Sequence, residues 1–311
     1  MPVTIINPKL ESSVLVTGAS GMLGSAICEE VISRGRELMA TSRSNRYELT
    51  ESAFHFCDLE DPEAGAHLVR NLRPSLVVHC AAITDHAVCA SNLELCRRVH
   101  VEASGALAQA QAAEGGRFIH ISTEAIYGPL GELHSEADHP NPIGAYATSK
   151  AEGETAVLAA HPEALVLRVT PVGFRPDFSG NSLAEWIVRA LGNDETLNGY
   201  TDVMFSPMAA PQVAEFLLHP QVEHLRGIYN LGSAIGASKF AFARALVTAL
   251  GYDGKRVSRS DRFSDGSVHQ GGMDVAKLKK DLRDYCPPTF EEVIQSLSSQ
   301  HETFKSKHNH D

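Results

Sequence analysis

The run Thr17-Gly18-Ala19-Ser20-Gly21-Met22-Leu23-Gly24 constrains this chain more than any other eight residues. It follows an apolar stretch, Ser13 to Thr17 (SVLVT), and opens a segment of helical periodicity from about Met22 to Ser33. Glycines three apart in that setting have separate uses. Gly18 allows a tight turn, Gly21 lets the backbone approach a pyrophosphate, and Gly24 lets the helix pack closely on the strand. The positive end of the helix dipole then faces the phosphates. The run predicts a strand–turn–helix that binds a dinucleotide.

The alternation continues down the chain. Leu38 to Thr41, Phe54 to Phe56, Leu76 to Cys80, Arg117 to Ser122 and Ala164 to Val169 read as strands. Pro62 to Leu72, opened by Asp61 as N-cap, reads as a helix. So do Leu93 to Glu114, ended by Gly115 and Gly116, and Ala145 to Ala160. This order predicts an α/β fold with a doubly wound parallel sheet (Rossmann) over residues 1–170. Residues 201–232, with the strand candidate Gly227 to Leu231, are expected to return to it. Pro171, Pro176, Gly180 and Gly199 punctuate the chain after Thr170. A smaller α/β C-terminal substrate lobe is therefore expected over 171–311. Within it Phe240 to Leu250 and Phe290 to Leu297 read as helices, Arg256 to Gly272 as a loop, and His301 to Asp311 as a frayed tail.

Composition narrows the function classes. The 311 residues are 43% hydrophobic and 21% charged, enough apolar side chain to bury a large core. A formal net charge of -11 argues against a nucleic-acid or anionic-membrane surface. No stretch is apolar and long enough to span a membrane, and the first residues lack a signal-peptide core, so a cytoplasmic protein is expected. Cys28, Cys57, Cys80, Cys89, Cys96 and Cys286 show no metal spacing and read as free thiols in a reducing compartment. The fifteen histidines show none either, and no metal is expected.

The second strand ends in Thr41-Ser42-Arg43, where an acidic residue would accept hydrogen bonds from the 2′-hydroxyl of NAD. Arg43, with Arg46 behind it, suits a 2′-phosphate, so NADP(H) is expected over NAD(H). Asp58 reads equally as a partner of the adenine amine and as a loop residue before the next helix. The candidate cofactor-binding set is Gly18, Ser20, Gly21, Met22, Leu23, Gly24, Arg43, Asp58, Leu59, Ala81, Ala82, Tyr146 and Lys150.

Tyr146-Ala147-Thr148-Ser149-Lys150 puts a phenol and an ammonium one helical turn apart. A free tyrosine titrates near a pKa of about 10. A neighbouring cation favours the phenolate and brings proton exchange nearer neutrality. Lys150 could also hold the nicotinamide ribose. Ile121-Ser122-Thr123, one strand earlier, supplies a hydroxyl that would orient a substrate carbonyl.

TGASGMLG, ISTEAIYG and YATSK, in this order, resemble the extended short-chain dehydrogenase/reductase family, and most closely its dTDP-4-dehydrorhamnose reductase branch. Glu136-Ala137-Asp138-His139-Pro140-Asn141-Pro142, the stretch from Thr201 to Pro207 and that from Met273 to Leu278 extend the likeness. The resemblance implies Thr123, Tyr146 and Lys150 as catalytic residues, with Glu124 where that branch has Asp. Glu124 reads equally as a structural hydrogen-bonding group. Ala125 stands where sugar-nucleotide dehydratases carry a Glu base, which disfavours dehydration. The chain departs from the branch at His79 and Cys80, at His100 where an Asn is common, and after the sixth strand, where the branch has a Trp. Trp186 reads as core or as pocket wall.

The resulting expectation is NADPH-dependent reduction of a keto group on a nucleotide-activated deoxysugar, in a protein that could form a homodimer. A 4-epimerase is one alternative. A non-catalytic NADP-binding regulatory subunit, similar to the beta subunit of methionine adenosyltransferase, is another.

Overall fold

The computed structural model describes residues 13–45, 49–50, 53–128, 133–262 and 272–308. The chain divides into two compact units. The first takes Met1–Ser122, Pro142–Leu167 and His224–Gly227, and the second takes Thr123–Asn141, Arg168–Glu223 and Ile228–Asp311.

The first unit begins with β1 (Ser13–Thr17), α1 (Met22–Ser33), β2 (Glu37–Ser42) and β3 (Phe54–Phe56). It continues with α2 (Pro62–Leu72), β4 (Leu76–His79), α3 (His86–Ser91) and α4 (Leu93–Arg97). Then come a π turn at Arg98–Glu102, α5 (Ala103–Ala113), β5 (Arg117–Ser122), α6 (Ala145–Ala160) and the start of β6 (Leu165–Val172). The strand order is β3-β2-β1-β4-β5-β6, and the pairings β1–β2, β2–β3, β1–β4 and β4–β5 are parallel. All five residues of β1 are buried. A strand covered on both faces reads as a continuous apolar run rather than an alternation, as SVLVT does. The order steps outward from β1 in both directions, so the ends of β1 and β4 form the switch point where such sheets bind ligands. Asp61 caps α2 as expected, accepting a hydrogen bond from the Glu63 amide.

Two expectations for this unit are corrected. Residues 93–114 are not one regular helix, because the turn at Arg98–Glu102 widens to π geometry. His100 fixes that turn. It is buried, its Nε2 accepts from the Ile83 amide at 2.9 Å, and its Nδ1 lies 2.8 Å from Ser149 Oγ. Nor are all six cysteines free, since Cys89 and Cys96 form a disulfide. Residues seven apart on one helix would lie about 10 Å apart along its axis. The break at Asn92 between α3 and α4 brings the two Cα atoms to 5.6 Å. Cys28, Cys57, Cys80 and Cys286 are free.

The second unit carries the end of β6, then α7 (Leu183–Gly192), β7 (Leu197–Tyr200), β8 (Met204–Phe205), β9 (Pro207–Ala209) and α8 (Ala210–Leu217). β10 (Gly227–Leu231), β11 (Ala237–Ser238), α9 (Lys239–Ala249), β12 (Val257–Ser260), α10 (Ala276–Asp281) and α11 (Phe290–His308) complete it. Thr170 to Val172 of β6 pair in parallel with β9, and β10 is hydrogen-bonded to β6. β11 pairs with β8 and β12 with β7 in two small sheets. Phe174, Ile187, Phe205, Phe242, Leu246, Val293, Leu297 and Phe304 form the centre of its core. Ser182 and Glu185 close a capping box at the start of α7. Trp186, on the same helix, is exposed and is not a core residue.

The C-terminal segment does not fray at His301, because α11 runs on to His308. Phe304 is buried in the core and Gln300 Oε1 accepts from the Phe174 amide, so the last turns are anchored. Residues 257–260, expected as loop, form β12 because β7 offers a parallel partner. Arg46, residues 263–271 of the expected loop, residues 1–12 and residues 309–311 lie outside the described residues. Among the described residues no helix is long and apolar enough to cross a membrane.

Candidate active site

The glycine turn sits at the end of β1 and needs each of its outer glycines. Gly18 has φ +68°, and a Cβ there would lie 2.8 Å from the Ala81 backbone beyond β4. A Cβ on Gly24 would lie 2.1 Å from the Gly18 carbonyl oxygen. Gly21 is the N-cap of α1, with no side-chain cap and no acidic residue in the first turn. A helix start left to its backbone amides, beside a turn closed against side chains, fits a phosphate-bearing cofactor. Ser20 and Met22 are half-buried at this turn, whereas Leu23 points into the core.

At the end of β2 the Arg43 guanidinium is exposed and pairs with Glu60, Nη1 to Oε1 3.3 Å. Asp58 Oδ1 accepts from the Glu60 amide at 3.0 Å in the loop before α2. Leu59 is buried, and a Cβ on Gly65 of α2 would meet its side chain at 2.9 Å. The Ala81 amide donates to Thr17 Oγ1, and Ala82 is half-buried beside it.

Around Lys150 the first unit builds a cluster that the motifs alone did not show. Thr17, His79 and His120 are register partners across β1, β4 and β5. Thr17 Oγ1 lies 2.7 Å from His79 Nδ1, and His79 Nε2 lies 2.9 Å from Ser104 Oγ on α5. Lys150 is buried on α6. Its Nζ donates to the Ile121 carbonyl at 2.7 Å and lies 3.4 Å from His120 Nε2. Burial pushes the ammonium down to about 8, opposed first by the nearby negative charge of Glu154. Ser122 Oγ donates to Glu154, which is itself buried on α6. Burial, and then the Lys150 charge, pushes His79 and His100 down to about 3 and His120 well below its ordinary value. All three imidazoles are therefore neutral near neutral pH.

Tyr146 lies one turn before Lys150 on α6 and is flanked by two imidazoles. The His86 ring stacks on it at 4.7 Å, and the His100 ring meets it edge-on at 5.9 Å. The Ile83 amide fixes the His100 tautomer. Nε2 accepts, so Nδ1 carries the proton and donates to Ser149 Oγ, which donates on to the Tyr146 carbonyl at 3.0 Å. Close packing locks this arrangement, because a Cβ on Gly153 of α6 would lie 2.3 Å from the His100 carbonyl oxygen.

Thr123 and Glu124 fall in the second unit. Thr123 is the N-cap of a short 3-10 turn, Glu124–Tyr127, and its Oγ1 accepts from the Ala125 amide at 3.2 Å. Glu124 Oε2 accepts from the Ser206 amide at 3.2 Å. Burial raises the Glu124 carboxyl, against the Lys239 charge and hydrogen bonds from Ser206 and Thr170. Lys239 in turn is pushed down to about 8 by burial, with Glu124 opposing, and its Nζ sits 3.3 Å from the centre of the Phe205 ring. Lys239, His86, His79 and His120 were not among the expected residues. The one available signal was a polar residue interrupting or ending the apolar runs of β1, β4 and β5, and strand register brings Thr17, His79 and His120 into one row.

A doubly wound sheet with a glycine turn at its switch point defines a nucleotide-binding α/β protein of Rossmann type. A family model described as the RmlD substrate binding domain matches residues 12–265, and the chain belongs to that family. This agrees with the resemblance carried by TGASGMLG, ISTEAIYG and YATSK. A probable low-salt glycan biosynthesis reductase, Agl14, of Haloferax volcanii is 28% identical over 299 residues, 94% of this chain and 99% of that one. A dTDP-4-dehydrorhamnose reductase of Mycobacterium tuberculosis is 31% identical over 253 residues, 78% of this chain and 77% of that one. The crystal structure of a dTDP-4-dehydrorhamnose reductase from Bacillus anthracis, in complex with NADP, superposes with a TM-score of 0.75 at 20% identity, covering 92% of this chain and 98% of that one.

Proposed function

We propose that this chain reduces a keto group on a nucleotide-activated deoxysugar of the dTDP-4-dehydrorhamnose kind, using NADPH. The observation that carries the reading is a buried ammonium, Lys150, one helical turn from Tyr146 on α6. The reductase relatives named above support it.

NADPH, when bound, supplies the hydride. Gly18, Gly21, Gly24 and the start of α1 would hold its pyrophosphate, with Ser20, Met22 and Leu23 contributing backbone. Arg43 would leave Glu60 to hold the 2′-phosphate, and Asp58, Leu59, Ala81 and Ala82 would border the adenosine and nicotinamide ends. Tyr146 gives its phenolic proton to the substrate oxygen. Lys150 stabilises the phenolate that remains and would hydrogen-bond the nicotinamide ribose. Thr123, the residue directly after β5, orients the carbonyl. Its bond from the Ala125 amide uses an oxygen lone pair, so the hydroxyl proton can still be donated. Glu124 holds the Ser206 amide and braces this turn.

The test is a fluorescence titration with NADPH and NADH, followed by addition of dTDP-4-dehydrorhamnose. Tighter binding of NADPH than NADH, with NADPH oxidised on adding the sugar nucleotide, is the expected result. NADPH binding with no oxidation would overturn the reductase reading.

A further inference from the structure

α3 and α4 are helices of six and five residues. Each buries one side chain fully, and in both it is the cysteine: Cys89 in α3 and Cys96 in α4. Helices this short are not self-supporting, and one buried residue gives little packing. The sulfur–sulfur bond is the covalent tie between these two short helices.

What these helices hold is the surroundings of Tyr146. α3 begins with His86, whose ring stacks on the Tyr146 ring. α4 runs straight into the π turn that carries His100, the edge-on neighbour of the same ring. Cys89 Sγ also lies 3.6 Å from the carbonyl oxygen of Ile83, whose amide donates to His100 Nε2. Both imidazoles that flank the phenol hang from the two helices that the disulfide joins.

We propose that Cys89–Cys96 is a redox-responsive modification site: closed, it holds His86 on the Tyr146 ring and steadies the helix that leads into the His100 turn, and its reduction by a dithiol loosens both and slows turnover. The proposal rests on Tyr146 as proton donor. A thiolate of the dithiol attacks one sulfur of the pair, forms a mixed disulfide and releases the other sulfur as a thiolate, which takes up a proton. The second thiol then displaces the remaining cysteine. Two electrons and two protons pass to the pair, and the reductant leaves as its own disulfide. Both sulfurs are buried, so attack follows local opening of α3 and α4, whose other side chains are mostly exposed. Cys89, Cys96 and His100 also bring ligand atoms within 4.8 Å of one another. Both His100 ring nitrogens are already hydrogen-bonded, so the geometry favours the sulfur–sulfur bond over a metal.

The experiment compares the full chain before and after dithiothreitol. Iodoacetamide labelling of the denatured protein with peptide mapping should modify Cys89 and Cys96 only after reduction. Reduction should lower kcat for NADPH oxidation with dTDP-4-dehydrorhamnose about tenfold, through loosened positioning, with the Kd for NADPH within about twofold. Reoxidation should restore the rate. The Cys89→Ser/Cys96→Ser variant should be slow with or without dithiothreitol, and Cys286→Ser should keep the full response. A substrate-free readout is the ring NMR signals of His86 and His100, assigned with His86→Gln and His100→Asn. They should shift on reduction while those of His161 stay. Equal rates and unmoved ring signals in the two states would overturn the proposal. So would labelling of both cysteines in untreated protein, or one zinc ion per untreated chain that blocks labelling. If Tyr146→Phe kept full turnover the proton-donor reading would fail, while labelling and ring signals would still decide the redox coupling.

Discussion

In the first unit three buried imidazoles gather about one ammonium on α6, whereas in the second unit three cations lie on aromatic rings. His79, His100 and His120 surround Lys150 and are kept neutral. Arg168 lies 4.8 Å from the centre of the Tyr127 ring, Lys239 3.3 Å from that of Phe205, and Lys277 4.0 Å from that of Tyr229. A cation on a ring face keeps its charge and its partner throughout the acid range. An imidazole buried beside an ammonium cannot take up a proton without losing its place. The first arrangement suits proton chemistry and is fragile in acid, and the second suits a scaffold.

Acid should separate the two most strongly. An unfolded histidine titrates near about 6.5, and the folded values here lie below that, at about 3 for His79 and His100. As pH falls, the unfolded chain binds protons first. The contribution of the neutral imidazoles is complete above about 6.5 and is lost as pH falls from there toward about 3. Three such groups should cost on the order of 3 kcal/mol by pH 5.5, read as a falling urea midpoint. His79→Gln should flatten that slope by about one proton. A midpoint unchanged from pH 7 to 5.5 would remove the contrast.

A smaller loss is expected from the second unit, and it should not depend on pH. Arg168 is buried and its Nη1 donates to Tyr127 Oη at 2.8 Å, while that hydroxyl donates to Asn230 Oδ1 at 2.7 Å. Arg168→Leu should cost about 2 kcal/mol, by the same amount at pH 7 and pH 5.5. A cost that grew in acid would mean that this unit too relies on groups that titrate there.

The smallest effect belongs to the exposed rim of the first unit. Arg43 and Glu60 form a surface ion pair, and such pairs are worth no more than about 1 kcal/mol. Glu60→Ala should therefore leave stability unchanged and tighten NADPH about twofold to threefold, with NADH unaffected. Equal gains for both cofactors would detach Arg43 from the 2′-phosphate.

The first unit was the more legible of the two. α1, β5 and α6 fall on the segments read from periodicity, because apolar runs and glycine stops are local signals. The glycine turn was legible because its conformations admit few residues other than glycine. The imidazole cluster was not, since His79, His100 and His120 meet through strand register and a π turn that no local pattern encodes. Cys89 and Cys96 were missed for the same reason: a seven-residue spacing brings two thiols together only where a helix breaks, and Asn92 alone does not announce the break. Thr123 carries a recognisable motif, but nothing in the sequence marks that Tyr127 and His134 just beyond it pack with Arg168 and Asn230. α11 outran its expected end because Phe304, isolated among polar residues, is an anchor visible only once the core is folded.

The most direct measurement is the kinetics of Tyr146→Phe with NADPH and dTDP-4-dehydrorhamnose, beside its NADPH affinity. The account predicts that kcat falls about 10²–10⁴-fold while the Kd for NADPH stays within about twofold. Turnover at the unmodified rate would contradict it, because another group would then be supplying the proton.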